Sequence, residues 1–264
     1  FDLCAMVDMR SRLAVALCTV VSIPAISFAQ YLQPLPGAAS RTTLPSNKMT
    51  IEIWSDVVCP FCYIGKREFE NALARFPHKD EVVVEWKSFE LDPSAPKRSE
   101  HDMYGMLVAK YGGTRDEAKA RVQGVVQRAK TVGLDYRMDK AVIGNSFDAH
   151  RVIQLAKTMG KGAEAEERLF RAYFIEGAHL ADHATLVRLA EEIGLDRKAV
   201  EEMLASTRFT QEVRADEREA QQIGVRGVPF FAIDQKYGIS GAQASDHFLS
   251  ALEQAWKERS AVKP

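Results

Sequence analysis

Apolar and polar residues alternate along Ile51-Glu52-Ile53-Trp54, and then the period changes. A repeat of two is the signature of a half-buried strand. After the connecting residues Ser55-Asp56-Val57-Val58, the positions Cys62, Gly65, Phe69, Ala72, Leu73 and Phe76 recur at the three- and four-residue spacing of one helical face. A second β-rich run, Val82-Val83-Val84-Glu85-Trp86 with Phe89, lies within Glu81 to Leu91, and Asp92-Pro93-Ser94-Ala95-Pro96 closes it with turn residues. This stretch predicts strand, helix, strand.

Helical spacing then takes over from about His101 to Thr207. Ala118, Val122, Val125, Val126 and Ala129 share one face, as do Val152, Leu155, Ala156 and Met159, and likewise Leu186, Leu189, Ala190 and Ile193. Gly112-Gly113, Gly160, Gly162, Gly177 and Gly194 punctuate these segments, with Asp182 and Asp196 placed to cap the helices that follow. Strand signals return only at Val228 to Asp234 and at Lys236 to Gly241, ahead of a last helix carrying Phe248, Leu252, Ala255 and Trp256 on one face. The predicted order is βαβ, a helical region, then ββα.

Before this pattern the chain has a different character. From Met9, Arg10 and Arg12 precede the apolar run Leu13 to Ile26, and Ser27-Phe28-Ala29 fits the small-x-small rule of a signal cleavage site. The run is too short, and too broken by Pro24, for a membrane span. Gln30 to Lys48 holds three prolines among Ser and Thr and reads as a disordered linker. Residues 1–48 are thus read as leader and linker, either a signal peptide or a spurious upstream extension, since the first residue is Phe and Met49 offers an alternative start. The folded domain is expected over residues 49–264.

Composition narrows the function classes. A hydrophobic content of 46% in 264 residues supports a sizeable core, and 35 Lys plus Arg against 36 Asp plus Glu give no electrostatic case for nucleic acid or a membrane surface as partner. Cys4 and Cys18 fall in the leader, so the domain holds only Cys59 and Cys62 and no disulfide scaffold.

Those two cysteines carry the chemistry. In Cys59-Pro60-Phe61-Cys62 the first thiol falls at a predicted helix N-terminus, where unpaired backbone N–H groups and the helix dipole favour the thiolate. Pro60 suits the first helical turn, and Cys62, one turn on, is placed to resolve a mixed disulfide formed at Cys59. A zinc site needs four ligands. The domain has no further cysteine, and nothing ties His179 and His183 to this pair, so no metal is expected. An inert buried pair would leave Pro60 and Phe61 without a purpose.

Gly227-Val228-Pro229-Phe230, at the start of the late strand, resembles the Val-Pro dipeptide that thioredoxin-fold oxidoreductases place beside their cysteines with a cis proline. More closely, Glu52 to Gly65, Asn145-Ser146-Phe147-Asp148-Ala149-His150-Arg151, Ala172-Tyr173-Phe174-Ile175-Glu176-Gly177 and Ile239-Ser240-Gly241-Ala242-Gln243 resemble the FrnE branch of the DsbA family. The resemblance spans Met49 to about Trp256 and implies an α/β, thioredoxin-like fold, βαβ…ββα, with a large all-helical subdomain inserted in the middle at about residues 98–207.

The resemblance also implies roles. Cys59 would be the nucleophile, Cys62 the resolving thiol and Pro229 the cis proline, with Pro60, Phe61 and Val228 supporting the site. Asn145 and His150 would contact substrate, the alternative being that Asn145 starts a helix and Arg151 decorates it. The implied activity is a thiol-disulfide oxidoreductase that oxidises, reduces or isomerises protein or small-molecule disulfides, glutathione among them, with no bound cofactor. DsbA itself has a histidine between its cysteines. Phe61 brings no charge there, so weaker oxidising power is expected. The alternatives are a glutathione-dependent isomerase or transferase of the 2-hydroxychromene-2-carboxylate isomerase or kappa-class type, whose members carry serine at the position of Cys59, or a peptide-binding, chaperone-like module. The branch is expected in the cytoplasm; a periplasmic or secreted location follows instead if Met9 to Ala29 is a genuine signal peptide.

Overall fold

The computed structural model describes residues 33–35 and 48–261. The leader expectations, Met9 to Ala29 with Cys4 and Cys18, lie outside them. Five strands form one sheet in the order β1-β5-β4-β2-β3: β1 (Gln33–Pro34), β2 (Met49–Ser55), β3 (Val82–Ser88), β4 (Phe230–Ile233) and β5 (Tyr237–Ser240). β2 runs parallel to β3, with Ile53 opposite Trp86, and antiparallel to β4, with Trp54 opposite Phe230. Its central place explains its near-continuous burial, because both faces of the strand are covered.

One face carries α1 (Pro60–Arg75) and α9 (Ser245–Ala261). Here Ile51, Ile53, Phe69, Phe76, Phe231, Phe248 and Leu252 interlock, with Phe231 and Phe248 rings meeting edge to face at 4.6 Å. The other face buries Trp54 and Ala232 against Ala220, Ile223 and Val225. The described helices between β3 and β4 are α2 (Met103–Tyr111), α3 (Arg115–Lys130), α4 (Phe147–Lys157), α5 (Gly162–Arg171), α6 (His183–Glu192), α7 (Arg197–Leu204) and α8 (Thr210–Gln222). Asp182 and Asp196 cap α6 and α7 as their positions predict. α5 widens into a π turn at Ala172–Glu176, which carries Tyr173 and Phe174 into the core.

Two sequence expectations need correction. The helical stretch does not stop near Thr207, since α8 follows it and packs on β3. Its apolar stripe is only Val213 and Ala220, with the buried Asp216 between them, and so escapes a hydrophobic count. Polar contacts account for the burial of Asp216: its carboxylate accepts from Ser88 N (2.8 Å) and Gln154 Nε2 (2.7 Å), and its carbonyl accepts from Trp54 Nε1 (2.9 Å).

The second correction concerns the linker. Gln33–Pro34 pairs antiparallel with β5, Leu35 N donates to Lys236 O (2.9 Å), and Leu35 is buried against the Trp54 cluster. A strand at the sheet edge tolerates the proline, and Gly238 leaves the room: a Cβ there would come within 2.9 Å of Leu35 Cδ2.

Candidate active site

The last residue of β2 is Ser55, and the chain turns through Asp56, Val57 and Val58 to reach Cys59 as the N-cap of α1. Asp56 holds this turn together. Its carbonyl accepts from Cys59 N (2.9 Å), Oδ1 accepts from Val58 N (3.2 Å), and Oδ2 reaches across to Leu91 N (2.8 Å) after β3. Pro60 occupies the first helical turn, where its missing N–H costs nothing. The first-turn carbonyl of Pro60 accepts a hydrogen bond from Tyr136 Oη at 2.7 Å. Tyr136 belongs to an aromatic stack with Phe174 (4.7 Å) and Tyr63, and Tyr63 stacks on Phe170 at 4.8 Å, so the helical subdomain grips the first turns of α1.

β4 approaches the same turn from the other side. Because Trp54 pairs with Phe230, the preceding Val228-Pro229, whose peptide bond is cis, lies alongside the start of α1. The Cys59 thiol lies 3.6 Å from Val228 O and donates toward it. Pro229 is buried against Gly65. A Cβ on Gly65 would stand 2.9 Å from Pro229 Cγ, so this close approach requires glycine.

Cys59 and Cys62 are both free thiols, 4% and 1% exposed. The Cys62 thiol is pushed well up, first by burial and then by the adjacent Cys59 sulfur; the backbone of Asp56 and the hydroxyl of Ser55 pull weakly the other way. Phe61 and Val228 are half-buried at the edge of the helical core. Cys59 is the N-cap of α1, and Cys62 is the third residue of the helix.

The two expected substrate contacts turn out differently. His150 is 1% exposed and faces Asp56, with Nε2 3.4 Å from Oδ1, so it sits behind the active-site turn rather than on the substrate side. Burial works against its imidazolium, but Asp56, Glu166 and Glu90 outweigh it and leave His150 above its ordinary value. Asn145 is engaged in structure: Oδ1 accepts from Phe147 N (2.8 Å) at the start of α4, and Nδ2 donates to Glu90 Oε1 (3.1 Å). Arg151 does not decorate its helix but is buried, donating to the carbonyls of Met203 (2.6 Å) and Ser206 (2.5 Å) at and beyond the end of α7.

Sequence reasoning missed Tyr136 and Glu166. Nothing marks Tyr136 out locally. Glu166 could have been found, because it shares the face of Gly162, Ala165, Leu169 and Phe170, where a carboxylate has no ordinary reason to be. Among the described residues no cluster of His, Cys, Asp and Glu could hold a metal ion, and no helix is long and apolar enough to cross a membrane.

With this geometry established, comparison with known proteins is informative. Residues 50–253 match the DSBA-like thioredoxin domain, and the chain belongs to that family. It has the fold of DsbA-like thiol-disulfide oxidoreductases. A crystal structure of a probable DsbA oxidoreductase from Streptomyces coelicolor is 44% identical, with a TM-score of 0.78, covering 82% of this chain and 93% of that one. The uncharacterized protein YwbO of Bacillus subtilis is 33% identical over 79% of this chain and 98% of its own length. At 17% identity and a TM-score of 0.57, the cytosolic disulfide reductase DsbM of Pseudomonas aeruginosa shares the fold over 79% of this chain and 99% of its own.

Proposed function

We propose that Cys59 and Cys62 cycle between dithiol and disulfide to exchange electrons with protein or small-molecule disulfides. The observation that carries this reading is the pair of free thiols one helical turn apart, the first at the N-cap of α1 and beside the Val228 carbonyl. Cys59 attacks a substrate disulfide as thiolate, forming a mixed disulfide and releasing one substrate thiolate. Cys62 then attacks Cys59 Sγ, the intramolecular disulfide forms, and the second substrate thiolate leaves. The substrate is reduced by two electrons and the pair oxidised; run backwards, the same steps oxidise a dithiol. The half-buried Val228 backbone is placed to pair with an extended substrate segment, as in strand addition.

The test is capture. Cys62→Ser should accumulate mixed disulfides at Cys59 on non-reducing electrophoresis, and Cys59→Ser should accumulate none; equal capture by both variants sinks the reading. Equilibration against glutathione should give a potential between roughly −270 mV and −120 mV, the values of thioredoxin and DsbA.

The match of Asn145 to Arg151, Ala172 to Gly177 and Ile239 to Gln243 supports placement in the FrnE-like branch and action in the cytoplasm. Mature protein beginning at Gln30 in a periplasmic or secreted fraction would overturn the location.

A further inference from the structure

Tyr136 takes no part in the exchange steps above, yet it touches the reacting turn. It is 3% exposed and lies between α3 and α4, where Arg137 N donates to Phe174 O (2.7 Å) and fixes the segment against the π turn. Its ring is committed to packing, between Phe174 and a near-parallel Tyr63. The hydroxyl has a separate target, because it donates to the carbonyl of Pro60, the first residue of α1, at 2.7 Å. That carbonyl already faces the N–H one helical turn further on, so it has no need of a second donor. A phenylalanine would fill the same stack with no polar atom to bury, and burying a hydroxyl costs free energy that only a bond of some use offsets.

The use lies at the other end of the same peptide group. Pro60 C=O and Phe61 N–H belong to one planar, resonance-coupled unit, so a donor on the oxygen polarises the group and makes the N–H a stronger donor. Pro60 brings no N–H to the helix start, and Cys62 N already donates to Cys59 O (3.1 Å). Phe61 N–H is therefore the first N–H of α1, at the position from which an N-cap side chain accepts. Here the N-cap side chain is that of Cys59. As a thiol it donates toward Val228 O and makes no cap bond. As a thiolate it has no proton to give and can only accept.

Resting on the dithiol reading, we propose that Tyr136 is a positioning residue for Cys59: by holding the Pro60 carbonyl it aims and strengthens the Phe61 N–H that receives the Cys59 thiolate. The phenol keeps its proton for this task, since burial, and then the Cys59 and Cys62 sulfurs, push its ionisation well above the ordinary tyrosine value. The other titratable or charged groups that act on it are Tyr63 and Arg67, both on α1, and Arg67 is paired with Glu167 and with Glu70 (2.6 Å). From the π turn and α5 the facing rings are Phe174 and, behind Tyr63, Phe170, which carry no charge. The effect falls on the reduced pair alone, because the disulfide has no thiolate to stabilise. Tyr136 thereby makes the pair a stronger oxidant.

The experiment uses the full chain and Tyr136→Phe, which keeps the ring stack and removes only the donor. Alkylation by iodoacetamide is followed against pH in two proteins that both carry Cys62→Ser, so that Cys59 alone reports. With Tyr136→Phe the profile should move upward by about half a pH unit, a change of about threefold in proton affinity, while the rate at its high-pH plateau stays the same. With both cysteines present, equilibration against glutathione should move toward the protein disulfide. A role confined to packing would lower the melting temperature and leave the midpoint of the profile and the glutathione equilibrium in place, and that result overturns the proposal. Placing 3-fluorotyrosine, a stronger donor of nearly the same shape, at position 136 should move both readouts the opposite way, and it carries the test if Tyr136→Phe does not fold. If the cysteines of the parent protein do not exchange with glutathione at all, the dithiol reading fails and this proposal falls with it.

Discussion

At the scale of single residues, Glu166 should register in stability through its burial. Its carboxyl titrates at about 7 in the fold against an ordinary 4.5. The folded state therefore holds the proton over a range in which the unfolded chain has lost it. Stability from this residue is fully present below about pH 4.5 and is lost as pH rises through about 7, a swing on the order of 3 kcal/mol. Glu166→Gln stays neutral throughout. Thermal melts should show the variant gaining on the parent from pH 5 to pH 8, and a difference that does not change with pH would contradict the burial argument.

Among the secondary-structure elements, the tightest constraint is the contact between α1 and the turn before β4. Gly65→Ala adds a methyl group 2.9 Å from Pro229 Cγ and 3.5 Å from Ala242 Cα. In an open helical position Gly→Ala stabilises by roughly 0.5–1 kcal/mol, and Gly124, in α3 with nothing within 4 Å of where a Cβ would stand, is the matched control. Gly124→Ala should raise the melting temperature. Gly65→Ala should lower it and slow reaction at Cys59, because the Val228 carbonyl moves with the proline. A rise in both would show that the turn yields freely.

The same elements explain what the sequence made legible. β2, α1 and α9 each have a clean period, β3 to β5 are short β-rich runs bounded by turn residues, and Cys59, Cys62 and Pro229 lie in contiguous motifs. α8 hid because its buried face includes Asp216, and β1 because two residues, one a proline, have no period. Asp56, His150 and Glu166 meet only after β2, α4 and α5 have packed, so local reading sees a turn acid, a helical histidine and a glutamate out of place on an apolar face, and does not bring them together.

For the whole molecule, β1 closes the β5 edge and Leu35 joins a core shared by strands and α8. Leu35→Ala should cost about 2 kcal/mol, or about 5 °C in melting temperature, and removal of residues 1–48 at least as much. Melting temperatures equal to the parent's for both variants would mean that the strand adds nothing. This edge strand also turns the choice of starting point into a choice of architecture. A peptidase cutting after Ala29 would leave Gln30 to Leu32 ahead of an intact five-stranded sheet. A ribosome initiating at Met49 would release a four-stranded protein, with the outer edge of β5 unpaired and an apolar notch where Leu35 belongs.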